Sequence, residues 1–112
     1  MTTPEKAKGS QWERDVAAYF RERGFKVDRR YGAGVHQDKG DLVGLPWFVL
    51  ECKNTKQINL SKFVDEAKLE AHNADEPFGV AVIKRRQRNV KDAYVVMTLE
   101  FSSRRTGAPD AA

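Results

Sequence analysis

The chain has one cysteine, Cys52, among 112 residues. One thiol excludes an internal disulfide, and it excludes a zinc site built on cysteine pairs. The lone thiol fits a reducing compartment. Long apolar runs are missing too, and no stretch could cross a bilayer as a helix. The opening MTTPEKAKGS carries no apolar signal-like segment, so the sequence predicts a cytoplasmic protein with no membrane partner. There is no internal repeat and no linker between two bodies. What remains is 40% hydrophobic and 32% charged, the balance of one globular domain with a modest core.

The charge excess is small, +4 from 20 Lys and Arg against 16 Asp and Glu, with a sequence pI of about 9.3. Its distribution says more. Lys84, Arg85, Arg86, Arg88 and Lys91 put five cations within eight residues, and Arg29 and Arg30 form a second cluster. Clustered cations are the footprint of phosphate binding. The plain alternative is a solvated loop or an edge strand guarded by charge.

Residues 1–9 are polar and aperiodic and read as a flexible arm. Ser10 to Arg23 predicts a helix: Ser10 and Glu13 have capping-box spacing, Trp12, Val16 and Tyr19/Phe20 recur at helical spacing, and Gly24 stops it. Phe25 to Arg30 alternates as a strand, and the glycines 32, 34 and 40 mark a loop. Asp41–Val43 and the apolar Trp47–Lys53, joined by Gly44-Leu45-Pro46, predict a β-hairpin. A second helix follows from about Leu60 to His72, with Leu60, Phe63, Val64, Ala67 and Ala71 on one face. Phe78–Ile83 and Ala93–Phe101 are the last two strands, and residues 102–112 read as a loose tail. The expectation is one domain over 10–101, an α/β (α+β) sandwich in the order α-β-β-β-α-β-β, with a mixed sheet flanked by two helices. Trp12 and Trp47 are expected in the core, and His72 as a partner for the second helix's C-terminal dipole.

The informative stretch is Gly40-Asp41, nine residues, then Glu51-Cys52-Lys53. Side chains alternate along a strand, so Glu51 and Lys53 share a face with Trp47 and Val49, while Phe48, Leu50 and Cys52 point the other way. The hairpin folds Asp41 back towards Glu51. Two close carboxylates repel unless a cation sits between them. Magnesium suits the place, because it takes hard oxygen ligands and keeps several waters; the Cys52 carbonyl is a candidate further ligand. Such an ion polarises a phosphodiester and positions a water, and Lys53 would stabilise the charge that develops. A Glu-x-Lys pair on a strand is ordinarily just a solvated face. Here it sits in the apolar run FVLEC, where charge is costly without a compensating partner.

Gly-Asp, nine residues, Glu-Cys-Lys resembles the PD-(D/E)XK nuclease superfamily. With SQWERDVAAYFRERGF and KVDRRYGAG before it, GDLVG and FVLECKN resemble the archaeal-type Holliday junction resolvases and their phage relatives. The likeness runs from about Gly9 to Ile83. It implies a restriction-endonuclease-like core, a homodimer, magnesium with manganese as substitute, and nicking of DNA in recombination and repair. It makes Asp41 and Glu51 the metal ligands, Lys53 the catalytic lysine, and Glu13 the helical glutamate that completes the site, with a bridging water as one route to the metal. Gly40 stands where the superfamily's proline is named. Family members often carry a serine in the glycine loop; this chain has Ala33, Val35, His36 and Gln37.

Three functions compete on the sequence: a resolvase of four-way DNA junctions, another PD-(D/E)XK nuclease (restriction, flap or repair type), and a DNA-binding module without catalysis. A four-way junction needs two symmetric nicks, so one site per chain implies a C2 dimer, with helix two and the last strand expected at its interface. Arg29, Arg30, His36, Lys56, Gln57, Lys84, Arg85, Arg86 and Arg88 are the expected DNA contacts, although His36 reads more readily as an ordinary loop residue and Gln57 reads equally as one.

Overall fold

The computed structural model describes residues 3–29 and 41–105. The first helix, α1 (Pro4–Arg21), begins two turns earlier than the apolar periodicity indicates. Thr3 caps it, its Oγ1 accepting from Lys6 N–H at 3.1 Å, and Pro4 at the first helical position loses no hydrogen bond. Residues 3–8 are exposed, so these turns show no apolar stripe. The flexible-arm reading of 1–9 is therefore corrected from Pro4 onward, and the Ser10–Glu13 capping box with it: both residues lie inside the helix. Gly24, at φ +92°, closes the other end and lets Phe25 N–H return to the Phe20 carbonyl at 3.1 Å.

Among the described residues, five strands form one sheet in chain order. The first, β1 (Asp28–Arg29), is shorter than its alternation suggested. It pairs antiparallel with β2 (Leu42–Val43), which pairs antiparallel with β3 (Phe48–Lys53). The turn between β2 and β3 requires Gly44. Its φ is +103°, and a Cβ there would run into the Lys26 carbonyl. Trp47 ends the turn at φ 71° and is 66% exposed, so it is not a core residue. The positive φ takes it out of the strand before the alternation begins.

From β3 the chain crosses over through α2 (Leu60–Asn73), and β4 (Phe78–Ile83) returns parallel to β3. Asn59 caps α2, accepting from Lys62 N–H at 3.1 Å. Phe63, Ala67, Glu70 and Ala71 are its buried face, with Leu60 left exposed. Gly79 seats the helix: a Cβ there would run into the Ala67 carbonyl. All six residues of β4 are buried.

After a 3₁₀ turn (Val90–Asp92), β5 (Tyr94–Val96) pairs antiparallel with β4 at the sheet edge. It stops short of the expected Phe101, because Thr98 starts a third helix, α3 (Leu99–Arg105). The Thr98 hydroxyl accepts from Phe101 N–H at 3.2 Å. So the tail is helical as far as Arg105, and the described residues form three helices rather than the expected two. Among the described residues no helix is long and apolar enough to cross a membrane.

Each face of the sheet has its own core. Trp12, Val16 and Ala17 of α1 pack on Leu42, Leu50, Cys52, Val80 and Val82. The buried Trp12 indole N–H donates to the Val82 carbonyl at 3.1 Å. Phe63 of α2 packs on Ala81 and Ile83 across the sheet.

Candidate active site

The site forms where β2 runs out alongside β3. Leu42 pairs with Leu50, and Asp41 N–H still reaches the Leu50 carbonyl at 3.1 Å. Two residues further along β3, Cys52 N–H donates to Asp41 Oδ2 at 2.7 Å. The aspartate thus acts as a side-chain extension of the ladder, which fixes its carboxylate beside the Glu51–Lys53 segment.

Glu51 and Lys53 share the α2 side of the sheet, as strand alternation requires; their partners on β4 are Ala81 and Ile83, of the α2-side core. Glu51 is 7% exposed. Its Oε1 lies 3.2 Å from Lys53 Nζ, while its buried Oε2 has no hydrogen-bond partner. Lys53 Nζ makes a shorter contact, 2.6 Å, with Oε2 of Glu66 on α2, and it stands 5.1 Å from the Phe63 ring centre. Burial works to lower the Lys53 pKa, but the Glu66 hydrogen bond and the Glu51 charge outweigh it and hold the ammonium more firmly protonated than a free lysine. Sequence reasoning missed Glu66. Its trace was there: it stands three residues after Phe63, at the border of the apolar face.

Glu13 reaches the same region from α1. Its carboxyl pKa is raised, first by burial and then by repulsion from Glu51, against the pull of Arg29. Arg29 Nη2 sits 3.5 Å from Glu13 Oε2 and donates to Ser10 Oγ at 3.3 Å. Arg29, expected to face DNA, is thus built into the edge of the acidic site. The Cys52 thiol is pushed far up by burial and by the charges of Asp41, Glu13, Glu51 and Glu70, which keeps it protonated and inert as a nucleophile.

Among the described residues no three His, Cys, Asp or Glu side chains form a ready cage for a metal ion. The donor set present is narrower: the Asp41 carboxylate just before β2 and the Glu51 carboxylate on β3, the latter with a buried oxygen lacking a hydrogen-bond partner. That fits a hard divalent ion that retains water on its open positions better than a fully caged one.

The basic residues gather next door. Lys84 N–H donates to the Lys53 carbonyl at 2.9 Å, so the cationic loop leaves the sheet at the end of β3. Lys56, Lys84, Arg85, Arg86 and Arg88 line a polar groove of about 680 Å³. Lys8 of α1 and Tyr94 of β5 complete its wall, neither of them anticipated from sequence. Arg85 lies over the Tyr94 ring, 4.7 Å from its centre. Gln57 is exposed on the loop before α2, its carbonyl accepting from Thr55 Oγ1 at 2.6 Å. Arg30 and His36 lie outside the described residues.

A mixed five-stranded sheet with α1 on one face and α2 on the other, carrying Asp41, Glu51 and Lys53 where β2 and β3 part, defines a restriction-endonuclease-like α+β protein of the PD-(D/E)XK type. The family model for archaeal Holliday junction resolvases matches residues 4–108, and the chain belongs to that family. No curated protein and no solved structure matches it.

Proposed function

We propose that this protein is a divalent-metal-dependent endonuclease that nicks four-way DNA junctions by phosphodiester hydrolysis. The observation that carries the reading is the buried Glu51 Oε2 without a hydrogen-bond partner, on the same β3 segment where Asp41 meets Cys52 N–H. An uncompensated carboxylate oxygen is costly in a folded core, and a bound cation offsets that cost. Asp41 and Glu51 would hold magnesium, or manganese in its place, with the Cys52 carbonyl, and Glu13 through water. The ion supplies Lewis acidity towards the phosphate and a water of lowered pKa. Lys53 keeps a full positive charge beside that position and stabilises the extra negative charge of the transition state. Glu13 and Arg29 set the electrostatics of the opposite wall.

The groove lined by Lys8, Lys56, Lys84, Arg85, Arg86 and Arg88 is suited to the phosphates that flank the cut. The chain's apolar exposure supports a homodimer. Val95 on the edge strand and Leu60 and Leu69 on α2 are each at least half exposed, apolar surface that a second copy of the chain could cover. Two such chains bring two sites to the two symmetric strands of a junction.

The test is nicking of an end-labelled synthetic junction beside duplex and flap DNA of the same sequence, with magnesium, manganese or chelator. Paired cuts confined to the junction and dependent on metal are expected. Equal cutting of duplex or flap would leave a nuclease and remove the junction assignment. Tight junction binding with no cutting under any metal would favour a non-catalytic binding module.

A further inference from the structure

The Lys53 ammonium has two carboxylate partners from different elements. Glu51 Oε1, two residues away on β3, is 3.2 Å from it. Glu66 Oε2, across on α2, is closer at 2.6 Å. If Glu51 takes a cation, its charge is shared with the metal, and a lysine leaning on Glu51 alone would compete with that metal for the same group. Glu66 eases that competition by offering Lys53 a second, shorter carboxylate contact from α2. Two of the three ammonium N–H groups then have acceptors, and the third is left for a phosphate oxygen.

The placement is built, not incidental. Glu66 sits one helical turn after Phe63, whose ring lies under the same ammonium at 5.1 Å. Lys62, one turn earlier on α2, approaches Glu66 Oε1 at 4.0 Å. The helix cannot drift from the sheet without opening the contact between Gly79 and the Ala67 backbone, and Ala67 adjoins Glu66.

We infer that Glu66 is a positioning residue of the site: it draws Lys53 off Glu51, so that Glu51 is free to bind the metal while Lys53 stays aimed at the substrate phosphate. This rests on the nuclease reading of Asp41, Glu51 and Lys53. The test compares wild type, Glu66→Gln, Glu66→Asp and Asp41→Asn. Mn²⁺ binding to the DNA-free protein is measured by calorimetry, junction nicking by kcat and KM, and folding by Tm. Glu66→Gln is expected to weaken Mn²⁺ binding and lower kcat, each by roughly 10- to 100-fold, with KM for the junction and Tm unchanged. Glu66→Asp, with the charge kept on a shorter arm, is expected to recover part of both losses. Wild-type kcat and Mn²⁺ affinity in Glu66→Gln, with Asp41→Asn inactive, would overturn the inference and leave the nuclease reading standing. So would a joint fall of Tm and kcat that Glu66→Asp does not relieve, since that is a merely structural role. If wild type neither binds Mn²⁺ nor nicks, both readings fall together.

Discussion

Cys52 N–H donates to Asp41 Oδ2 at 2.7 Å, two residues along β3 from the Leu42–Leu50 pair. The same carboxylate therefore has a structural and a chemical task, and substitutions can separate them. Asn at position 41 keeps an acceptor oxygen and loses the charge. Asp41→Asn is expected to melt close to wild type and to nick no DNA. Asp41→Ala leaves a part-buried N–H unpaired as well, and is expected to cost about 1–3 kcal/mol of stability, read from urea unfolding. A large stability loss in Asp41→Asn would show that the charge, not the acceptor, holds the strand.

Gly79 fixes how closely α2 approaches the sheet. Gly79→Val puts a branched side chain against the Ala67 carbonyl and is expected to destabilise by about 1–3 kcal/mol. Because α2 carries both Phe63 and Glu66 to Lys53, nicking is expected to fall even at temperatures where the variant remains folded. Full activity in a folded Gly79→Val protein would mean that α2 can shift without disturbing Lys53.

Much of this arrangement is legible in the sequence, and the reasons for the rest are physical. β4 reads correctly as Phe78–Ile83 because a strand buried on both faces is a continuous apolar run. Glu51 and Lys53 share a face, 3.2 Å apart, because strand alternation depends only on local geometry, and the hairpin brings Asp41 to the Cys52 N–H between them. The first two turns of α1 carry no apolar residue towards the core, so only Thr3 and Pro4 signal their start. Trp47 looks like core by composition, but its positive φ turns it outward. Arg29 reads as a surface cation in KVDRRYGAG, yet pairs with Glu13 across two elements. Glu66 meets Lys53 only once α2 docks, which is a tertiary event that spacing along the chain does not encode.

Burial and Glu51 raise the Glu13 pKa, so ionised Glu13 is less favourable in the folded chain than in the unfolded one. A group of this sign favours the fold below its unfolded pKa, and that contribution is lost as pH rises through the folded value. Metal-free Glu13→Gln is therefore expected to melt above wild type at neutral pH, with the gap closing as pH falls below the ordinary carboxylate range. Thermal melts at stepped pH read that gap, and widening on acidification would contradict the sign.

Junction binding is expected to weaken steeply with salt through the groove cations. Replacing Arg85 and Arg86 with Gln is expected to lower the slope of log K against log[salt] by about 0.9 for each duplex-arm phosphate that is no longer neutralised. Lys8→Gln is expected to act in the same direction, since α1 supplies one wall of that groove. Slopes identical to wild type, measured by fluorescence anisotropy on a catalytically dead background, would move the phosphate footprint elsewhere.

If Asp41, Glu51 and Lys53 form a metal-dependent DNA-cleaving centre, single-turnover nicking of a saturated four-way junction in magnesium tests it most directly. Wild type is expected to cut, Glu51→Gln to be inactive at any magnesium concentration, and Lys53→Ala to be slowed by about 100-fold or more with junction binding retained. Cutting by Glu51→Gln at the wild-type rate would contradict that centre, because the carboxylate with the unpartnered buried oxygen would then have no part in the chemistry.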